Sequence, residues 1–513
     1  MIQSTFFDAQ QSETFELARQ SRDPRFDGCF FVAVLTTKIF CRPICPVRLP
    51  KRQNIIFLPT AAAAINLGFR PCLRCRPESA PGGLIWQTIS NPAQMLVSEA
   101  LKLISFGILE EGGVNLLAQR IGISSRHLNR IFKKVLGANV HRIGQTRRAL
   151  FAKKLVIETT LAISEICYAS GFSSLRQFNS VFKQYFKSSP SALRTTKPND
   201  ANTTIALALK FRPPYNYRAL LNFFAHRALN GMESVSNNAY CRTFESGAEQ
   251  GQFSITFDEL SASATVQIQA SVSHQLIQIV EHIRQVFDLD ADIRMIENTL
   301  CQDPLLAPIV RQQPGIRIPG CWSPFESAVR AVVEQQISLA AAVNILNDIM
   351  SKTGRKLQNH KKGSSINEQT GLHLLFPYPK DIINLDFSTI DLPSVKVHAL
   401  KSIAKLFDAE IISLTPLNSP SSMLNKLCQI KGIEQWPRNY LLLRGFSNPD
   451  VLLTNDLILK QAIETLEADD NVEFDRTKMS DSMANLTQKW RPFRSYAVLH
   501  LWQHSEKNHE RHE

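Results

Sequence analysis

The chain has 513 residues, of which 44% are hydrophobic and 20% charged. This balance predicts three or four globular domains and excludes wholesale disorder, a collagen-like fibre and a coiled-coil rod. No apolar run reaches the roughly 18 residues of a membrane span, and the N-terminus lacks the pattern of a secretory signal, so we expect a cytoplasmic protein with no membrane partner. The net charge is +13, and residues 114–197 contain 15 Lys and Arg against only Glu158 and Glu165. Such concentrated positive charge predicts binding to nucleic acid.

Four of the ten cysteines form two short pairs near the N-terminus. Cys41 and Cys45 are followed, after 26 residues, by Cys72 and Cys75. Two such pairs suit one tetrahedral zinc ion, because each pair closes a tight loop and the longer segment brings the pairs together. Four thiolates on Zn²⁺ leave an excess negative charge that makes a bound sulfur nucleophilic, and arginines such as Arg74 flank the pairs. The pattern predicts either a structural zinc or a thiolate that attacks an alkyl group attached to phosphate.

The residues around these cysteines extend the pattern, with FVAVLTTKIFCRPIC at residues 31–45 and GFRPCLRC at residues 68–75. These motifs resemble the N-terminal domain of the Ada response regulators over nearly all of residues 20–80. The resemblance implies that residues 1–80 form a small domain in which all four cysteines bind zinc. It further implies that Cys41 irreversibly takes the methyl group from a DNA methylphosphotriester. Methylation would remove one negative charge, so that repulsion between this domain and DNA phosphate falls.

The basic segment reads as two copies of a helix-turn-helix pattern. In the first copy, Ser124 is a predicted N-cap, and apolar residues from Leu128 to Leu136 form one buried stripe. About 49 residues later, Ser173 introduces a second helix with a similar stripe from Phe178 to Phe186. Two such helices suit successive faces of the DNA major groove. The predicted DNA-binding side chains are those that lie outside the stripes: Arg126, Asn129, Arg130, Arg176 and Gln177.

The second copy includes AISEICYASGFSS at residues 162–174, which is similar to the AraC-type DNA-binding domain. The match covers about residues 95–197, and we assign residues 90–197 to this domain. The resemblance implies promoter binding, transcriptional activation with RNA polymerase as a partner, and association with the nucleoid.

The remaining chain changes from strand to helix patterns. Between residues 203 and 300, apolar residues alternate with polar ones, as in Phe253, Ile255 and Phe257, which predicts strands with one buried face. Helical periodicity returns from about residue 320. Near residue 430, a short turn containing Gly432 between two helices would let backbone N–H groups approach a DNA phosphate. Asp456 follows a short apolar run and, taken alone, is typical of a helix cap.

Several motifs of this half resemble the AlkA-type 3-methyladenine DNA glycosylases. They are RIPGC at residues 317–321, GIEQWPRNY at 432–440, NDLILKQ at 455–461 and WRPFRSYA at 490–497. The resemblance implies a TBP-like α+β subdomain at residues 203–310 and an all-α helix-hairpin-helix core at residues 311–505. The predicted fold class is therefore multidomain α+β, with the zinc domain and an all-α double helix-turn-helix domain preceding these two parts.

The resemblance also assigns roles in the cleavage of a glycosidic bond. Asp456 matches the catalytic carboxylate, which stabilises the positive charge that develops on the sugar. Trp436, Tyr440 and Trp502 match an electron-rich pocket for a flipped, cationic purine. Gln336 lies where a wedge enters the DNA helix. Because bifunctional relatives carry a lysine at the position of Trp436, we expect a monofunctional enzyme that needs no cofactor in this half.

The sequence also departs from the family pattern. The usual Pro-Gly-Ile/Val-Gly hairpin is here Lys431-Gly432-Ile433-Glu434, so a carboxylate replaces a glycine beside the expected phosphate. Pro437 also replaces a small hydroxyl residue. Two functions therefore compete for the C-terminal half: an active glycosylase fused to an alkylation sensor and activator, or an inactive remnant within an alkylation-responsive regulator.

Overall fold

The computed structural model describes residues 6–82, 92–194, 204–270, 275–358, 371–412, 425–427, 429–433, 435–453, 456, 459, 461 and 487–510. These residues form two compact units. The first comprises residues 1–213, 245–284 and 289–292, and the second comprises residues 214–244, 285–288 and 293–513. Among the described residues, no helix combines the length and apolar character that crossing a membrane requires.

The first unit begins with a small mixed sheet. Its elements are α1 (Ala9–Ser21), β1 (Phe31–Val34), β2 (Ile39–Cys41), β3 (Ile55–Leu58), α2 (Ala61–Asn66) and β4 (Arg70–Pro71). The strand order is β3-β1-β2-β4, and only β2 and β4 pair in parallel. All four residues of β3 are buried, because Ile56 and Leu58 pack into one apolar cluster and Ile55 and Phe57 into another. The sheet is therefore covered on both faces.

The helical part of this unit contains both predicted helix-turn-helix copies. Its helices are α3 (Pro92–Ser105), α4 (Ile108–Glu111), α5 (Gly113–Ile121), α6 (Ser125–Leu136), α7 (Val140–Glu158), α8 (Ile163–Ala169), α9 (Leu175–Phe186) and α10 (Pro190–Leu193). Ser124 caps α6 as predicted. Ser174 caps α9, directly after Ser173, the residue with which the sequence pattern introduces this helix. Gly122 and Gly171, which precede these helices, have φ of +79° and +80°, and a left-handed turn of this kind favours glycine.

Three antiparallel strands and a helix complete the first unit. They are β5 (Thr204–Lys210), β8 (Glu249–Asp258), β9 (Ser263–Ala270) and α12 (Leu276–Val286), whose last two residues belong to the second unit. The predicted alternation is confirmed, because Leu207 on β5 and Ile255 on β8 both pair with Val266 of the central strand, and all three are buried. The predicted return of helices at about residue 320 is late, because α12 already begins at Leu276.

The second unit packs helices around one large apolar core. Its elements are α11 (Tyr217–Ala225), β6 (Glu233–Val235), β7 (Ala239–Ser246), α13 (Ile293–Leu300), α14 (Leu306–Gln312), α15 (Pro324–Glu334), α16 (Leu339–Thr353), α17 (Pro379–Asn384), α18 (Ser394–Asp408), α19 (Gln435–Gly445) and α20 (Arg494–Glu510). The core is centred on α15, where every residue from Pro324 to Val333 is buried.

Buried charges join α15 to the β6–β7 pair. Glu326 accepts from Arg242 at 2.9 Å and from Arg330 at 3.0 Å, and Arg330 also donates to Glu233 at 2.8 Å. Burial alone would raise the pKa of Glu326, but the two guanidinium groups outweigh it and lower the pKa to about 2. Glu326 and Arg330 therefore help to hold together the scaffold of this unit.

Candidate metal centre, DNA-reading helices and base pocket

The four predicted zinc ligands meet at the ends of two parallel strands. Cys41 ends β2 and Cys72 follows β4, and the N–H of Cys72 donates to the carbonyl of Phe40 at 3.0 Å. Tight turns then return Cys45 and Cys75 to the same place. All four residues are buried, and their sulfur atoms lie within 4.8 Å of one another.

This cluster fits a zinc ion. Tetrahedral bonds of about 2.3 Å place sulfur atoms roughly 3.8 Å apart, which agrees with the observed grouping. Hydrogen bonds with Cys41 lower the pKa of Cys45 to about 7 and the pKa of Cys72 well below its ordinary value, while the bond with Cys45 raises the pKa of Cys41. A divalent cation bound to these four sulfurs would displace their protons. The backbone N–H of Arg42 also donates to the sulfur of Cys75 at 3.3 Å.

Basic side chains around the cluster differ in their roles. Arg42 is buried, donates to Asp27 and to the carbonyl of Cys75, and so braces the metal loop. Arg74 is exposed on the turn between Cys72 and Cys75. Its contact with DNA stays a prediction.

Two ion pairs connect the metal loop to the long helix α7. Arg76, next to Cys75, pairs with Glu158 at 2.5 Å, and fully buried Glu78 pairs with fully buried Lys153 at 2.8 Å. The helix has 19 residues, and at 1.5 Å per residue its length is about 28 Å. The residues that directly follow Cys75 therefore contact the helix that joins the two helix-turn-helix copies.

The exposed faces of α6 and α9 carry most of the predicted DNA-binding residues. Arg126 and Arg130 are exposed on α6, and Arg176 and Gln177 are exposed at the start of α9. Asn129 is different, because it is half-buried, donates to the carbonyl of Ser125 at 2.9 Å and accepts from the N–H of Val140 at 3.2 Å. These two bonds hold the junction of α6 and α7, and the contact of Asn129 with DNA stays a prediction.

A pocket of about 220 Å³ lies in the second unit, at the predicted base-binding residues. Trp436 and Tyr440 are one helical turn apart on α19, and their rings stack with centroids 4.7 Å apart. Trp502 of α20 and the carboxylate of Asp456 also line the pocket. The structure thus brings together the three predicted aromatic residues and the predicted catalytic carboxylate.

Asp456 is buried and held by three N–H donors. The indole of Trp436 donates to one carboxylate oxygen at 3.1 Å. The indole of Trp502 at 3.0 Å and the backbone N–H of Leu459 at 2.8 Å donate to the other. The bond from Leu459, three residues further along the chain, has the spacing of a helix cap. The carboxylate therefore accepts a cap-like bond from the backbone and also faces the pocket. Both tryptophans, predicted only as base-stacking rings, also orient this carboxylate.

A second carboxylate, Glu334, lines the same pocket and was not anticipated from the sequence. The hydroxyl of Tyr440 donates to it at 2.9 Å and accepts from Arg444 at 3.0 Å. Burial raises the pKa of Tyr440, so the phenol stays protonated and remains a donor. Phe223 and Arg227, near the end of α11, are further pocket residues that no sequence pattern indicated.

The predicted wedge and hairpin adjoin this region. Gln336 is exposed between α15 and α16, has a left-handed φ of +59°, and lies between the pocket residues Glu334 and Ile337. Gly432 has a φ of +91°, and a Cβ atom there would lie 2.8 Å from Val395 of α18, so only glycine fits. The carboxylate predicted beside the hairpin, Glu434, lies outside the described residues.

Comparisons with protein families follow the same order along the chain. A model of the metal-binding domain of Ada matches residues 15–78. A helix-turn-helix domain model matches residues 117–196. A model of the AlkA N-terminal domain matches residues 206–323.

Individual relatives cover the whole chain or its parts. The probable bifunctional transcriptional activator/DNA repair enzyme AlkA of Mycobacterium tuberculosis is 32% identical over 492 residues, which cover 94% of this chain and 95% of the relative. DNA-3-methyladenine glycosylase 2 of Escherichia coli is 24% identical, over 57% of this chain and 95% of its own length. The bifunctional transcriptional activator/DNA repair enzyme AdaA of Bacillus subtilis is 31% identical, over 34% of this chain and 78% of its own length. This chain therefore belongs to the family of bifunctional transcriptional activator/DNA repair enzymes that join an Ada-type zinc domain and a helix-turn-helix domain to an AlkA-type glycosylase.

Proposed function

We propose that this protein repairs alkylated DNA and regulates that repair. In this proposal the C-terminal half is a DNA glycosylase for alkylated purines of the 3-methyladenine class. The observation that carries it is the buried carboxylate of Asp456, which two indole N–H groups hold at the edge of an aromatic pocket. The DNA-binding helices and the zinc cluster belong to the regulatory half.

The reaction of the glycosylase half follows from charge. Alkylation at N3 or N7 makes a purine cationic, so the bond between the base and C1′ of the sugar breaks with the electron pair leaving on the base. The carboxylate of Asp456 stabilises the positive charge on the sugar, and water then adds to C1′ and loses a proton. Stacked Trp436 and Tyr440 favour a cationic base over a neutral one. Because Trp436 stands where bifunctional relatives have lysine, the product is an abasic site and the strand is not cut.

The decisive experiment measures release of 3-methyladenine from methylated duplex DNA by the whole protein and by Asp456→Asn. We expect the variant to lose at least a hundredfold in kcat, since the amide cannot stabilise the sugar cation. Exposed Glu410→Gln serves as a control and should match the wild type. No base release from the wild type, with zinc and promoter binding intact, would favour the alternative of a regulator with an inactive C-terminal half.

The zinc cluster supplies a second proposed activity, acceptance of a methyl group by Cys41. When zinc is bound, it keeps the four sulfurs deprotonated. The Cys41 sulfur then attacks the methyl carbon of a methylphosphotriester, the carbon–oxygen bond breaks, and the products are a Cys41 thioether and an ordinary phosphodiester anion. Exposed Arg74 is placed to bind that phosphate.

The test is transfer of a labelled methyl group from DNA, located by peptide mass spectrometry. We expect one methyl group per protein on Cys41, no transfer to Cys41→Ala, and full transfer to Cys301→Ser, a cysteine outside the cluster. A label on a different cysteine, or uptake that persists in Cys41→Ala, would refute the assignment.

The methylated protein would then bind promoter DNA through α6 and α9 and activate transcription with RNA polymerase. Arg176 is exposed at the start of α9, where it can reach DNA. We expect Arg176→Ala to weaken promoter binding and to reduce the slope of log affinity against log salt by about one. Lys380→Ala, which removes an exposed charge from α17, is the matched control. Unchanged affinity at several salt concentrations would exclude Arg176 as a contact.

A further inference from the structure

Glu334 is a carboxylate in the base pocket whose position no catalytic step above explains. It is the last residue of α15, its side chain is 8% exposed, and it lines the pocket together with Asp456. Tyr440 donates to its Oε2 atom, and Arg444 donates in turn to the Tyr440 hydroxyl. This chain of hydrogen bonds fixes the direction of the carboxylate.

Neighbouring charges leave Glu334 able to accept from a ligand. The Nε atom of Arg227 is 3.9 Å from Oε2, which is too far for a hydrogen bond, and its guanidinium lies over the ring of Phe223 at 3.8 Å. Among the described residues, the Glu334 carboxylate accepts one hydrogen bond, which comes from Tyr440 and is on Oε2. The Oε1 atom therefore retains its capacity to accept from a group that enters the pocket.

We propose that Glu334 determines which bases the pocket accepts, by taking a hydrogen bond from the exocyclic amino group of a flipped, alkylated purine. An ionised carboxylate only accepts hydrogen bonds, so it complements an amino group and repels a carbonyl oxygen at the same place. This inference rests on the proposed glycosylase activity and adds its substrate class: cationic purines that carry an amino group.

Alkylation strengthens this contact. A purine methylated at N3 or N7 is positively charged, so its amino hydrogens are more acidic and their bond to a carboxylate is charge-assisted on both sides. Hypoxanthine is neutral and carries an oxygen in place of the amino group of adenine. Glu334 thus distinguishes an amino group from a carbonyl oxygen, whereas Trp436 and Tyr440 respond to the charge of the base and not to which of these groups it carries.

The test compares two substrates in one protein. Single-turnover rates of release are measured for 3-methyladenine from methylated duplex DNA and for hypoxanthine from a synthetic duplex, with the wild type, Glu334→Gln, Asp456→Asn and the surface control Glu410→Gln. Glutamine keeps the shape of the side chain and can still accept from Tyr440. We expect Glu334→Gln to slow release of 3-methyladenine about tenfold or more and to leave release of hypoxanthine unchanged or faster.

The possible outcomes separate this inference from the proposed function. A ratio of the two rates that stays within about twofold of the wild type overturns the role of Glu334, whether both rates are retained or both fall, because a merely structural role moves both substrates alike. Absence of release by the wild type would instead refute the glycosylase activity itself. A selective loss of 3-methyladenine release, with Asp456→Asn inactive on both substrates, establishes Glu334 as a specificity residue.

Discussion

The zinc cluster and the base pocket are built from the chain in opposite ways. The cluster takes all its ligands from residues 41–75, on two adjacent strands and two tight turns. The pocket takes its lining from residues as far apart as Ala219 and Gln503. A site with local ligands depends on a few turns and on its metal, whereas a site assembled from distant segments depends on the packing of a whole unit. The two sites should therefore respond very differently to perturbation.

Removing zinc should give the largest and most local effect. Binding of a structural zinc ion by four thiolates is worth on the order of 10 kcal/mol. We expect a chelator, or Cys72→Ser, to raise amide hydrogen exchange across residues 39–76 while the rate of base release stays unchanged. Cys301→Ser, outside the cluster, should leave both properties intact. A parallel loss of base release would show that the pocket also depends on the zinc cluster. The two sites would then not respond differently to perturbation.

We expect the base pocket to be disrupted when the buried charges that join α15 to β6 and β7 are removed. Glu326→Gln removes one of the two buried carboxylates that Arg242 and Arg330 share, the other being Glu233, and we expect a cost of roughly 3 kcal/mol in the free energy of unfolding. Chemical denaturation followed by tryptophan fluorescence measures this cost. Glu110→Gln, which breaks the more exposed pair with Arg148, should cost at most about 1 kcal/mol. Equal effects of the two substitutions would mean that the buried network stabilises the fold no more than an exposed ion pair does.

The same carboxylate predicts a dependence on acid. The folded-state pKa of Glu326 is about 2, below its ordinary value of 4.5, so its stabilisation is complete above pH 4.5 and is lost as the pH falls toward 2. Because one pKa unit corresponds to about 1.4 kcal/mol, this loss amounts to roughly 3 kcal/mol. Glu326→Gln should remove that part of the acid sensitivity, and an unchanged dependence between pH 4.5 and 2 would contradict the assignment.

The contrast also explains what the sequence could predict. Spacing alone indicated the zinc ligands, and alternation indicated the buried faces of β5, β8 and β9, because both patterns are properties of a few consecutive residues. In the pocket, the family resemblance indicated Asp456, Trp436, Tyr440 and Trp502, but not that the indole N–H groups hold Asp456. Glu334 was also missed, although it lies two residues before Gln336. Its orientation depends on a hydrogen bond from Tyr440, more than a hundred residues away in the chain, and no local pattern encodes such a contact.

Loss of the hydrogen bond from Trp502 to Asp456 should have the next smaller effect. Trp502→Phe keeps an aromatic ring in the pocket but removes the N–H donor to Asp456. Losing one hydrogen bond to a charged group should lower kcat for 3-methyladenine release about tenfold, with little change in KM. Steady-state kinetics of the two proteins check this prediction. A higher KM with an unchanged kcat would mean that Trp502 contributes through stacking alone.

The smallest effect should come from the N-cap of α9, which the structure places at Ser174. The hydroxyl of Ser174 accepts from the N–H of Gln177, so Ser174→Ala should destabilise the protein by about 1 kcal/mol. Ser173→Ala is the matched control, because its exposed hydroxyl only donates to the side chain of Gln177 at 3.3 Å, and its loss should be nearly neutral. Thermal unfolding of the two variants decides which serine begins α9. A larger loss from Ser173→Ala would instead place the cap of α9 one residue earlier.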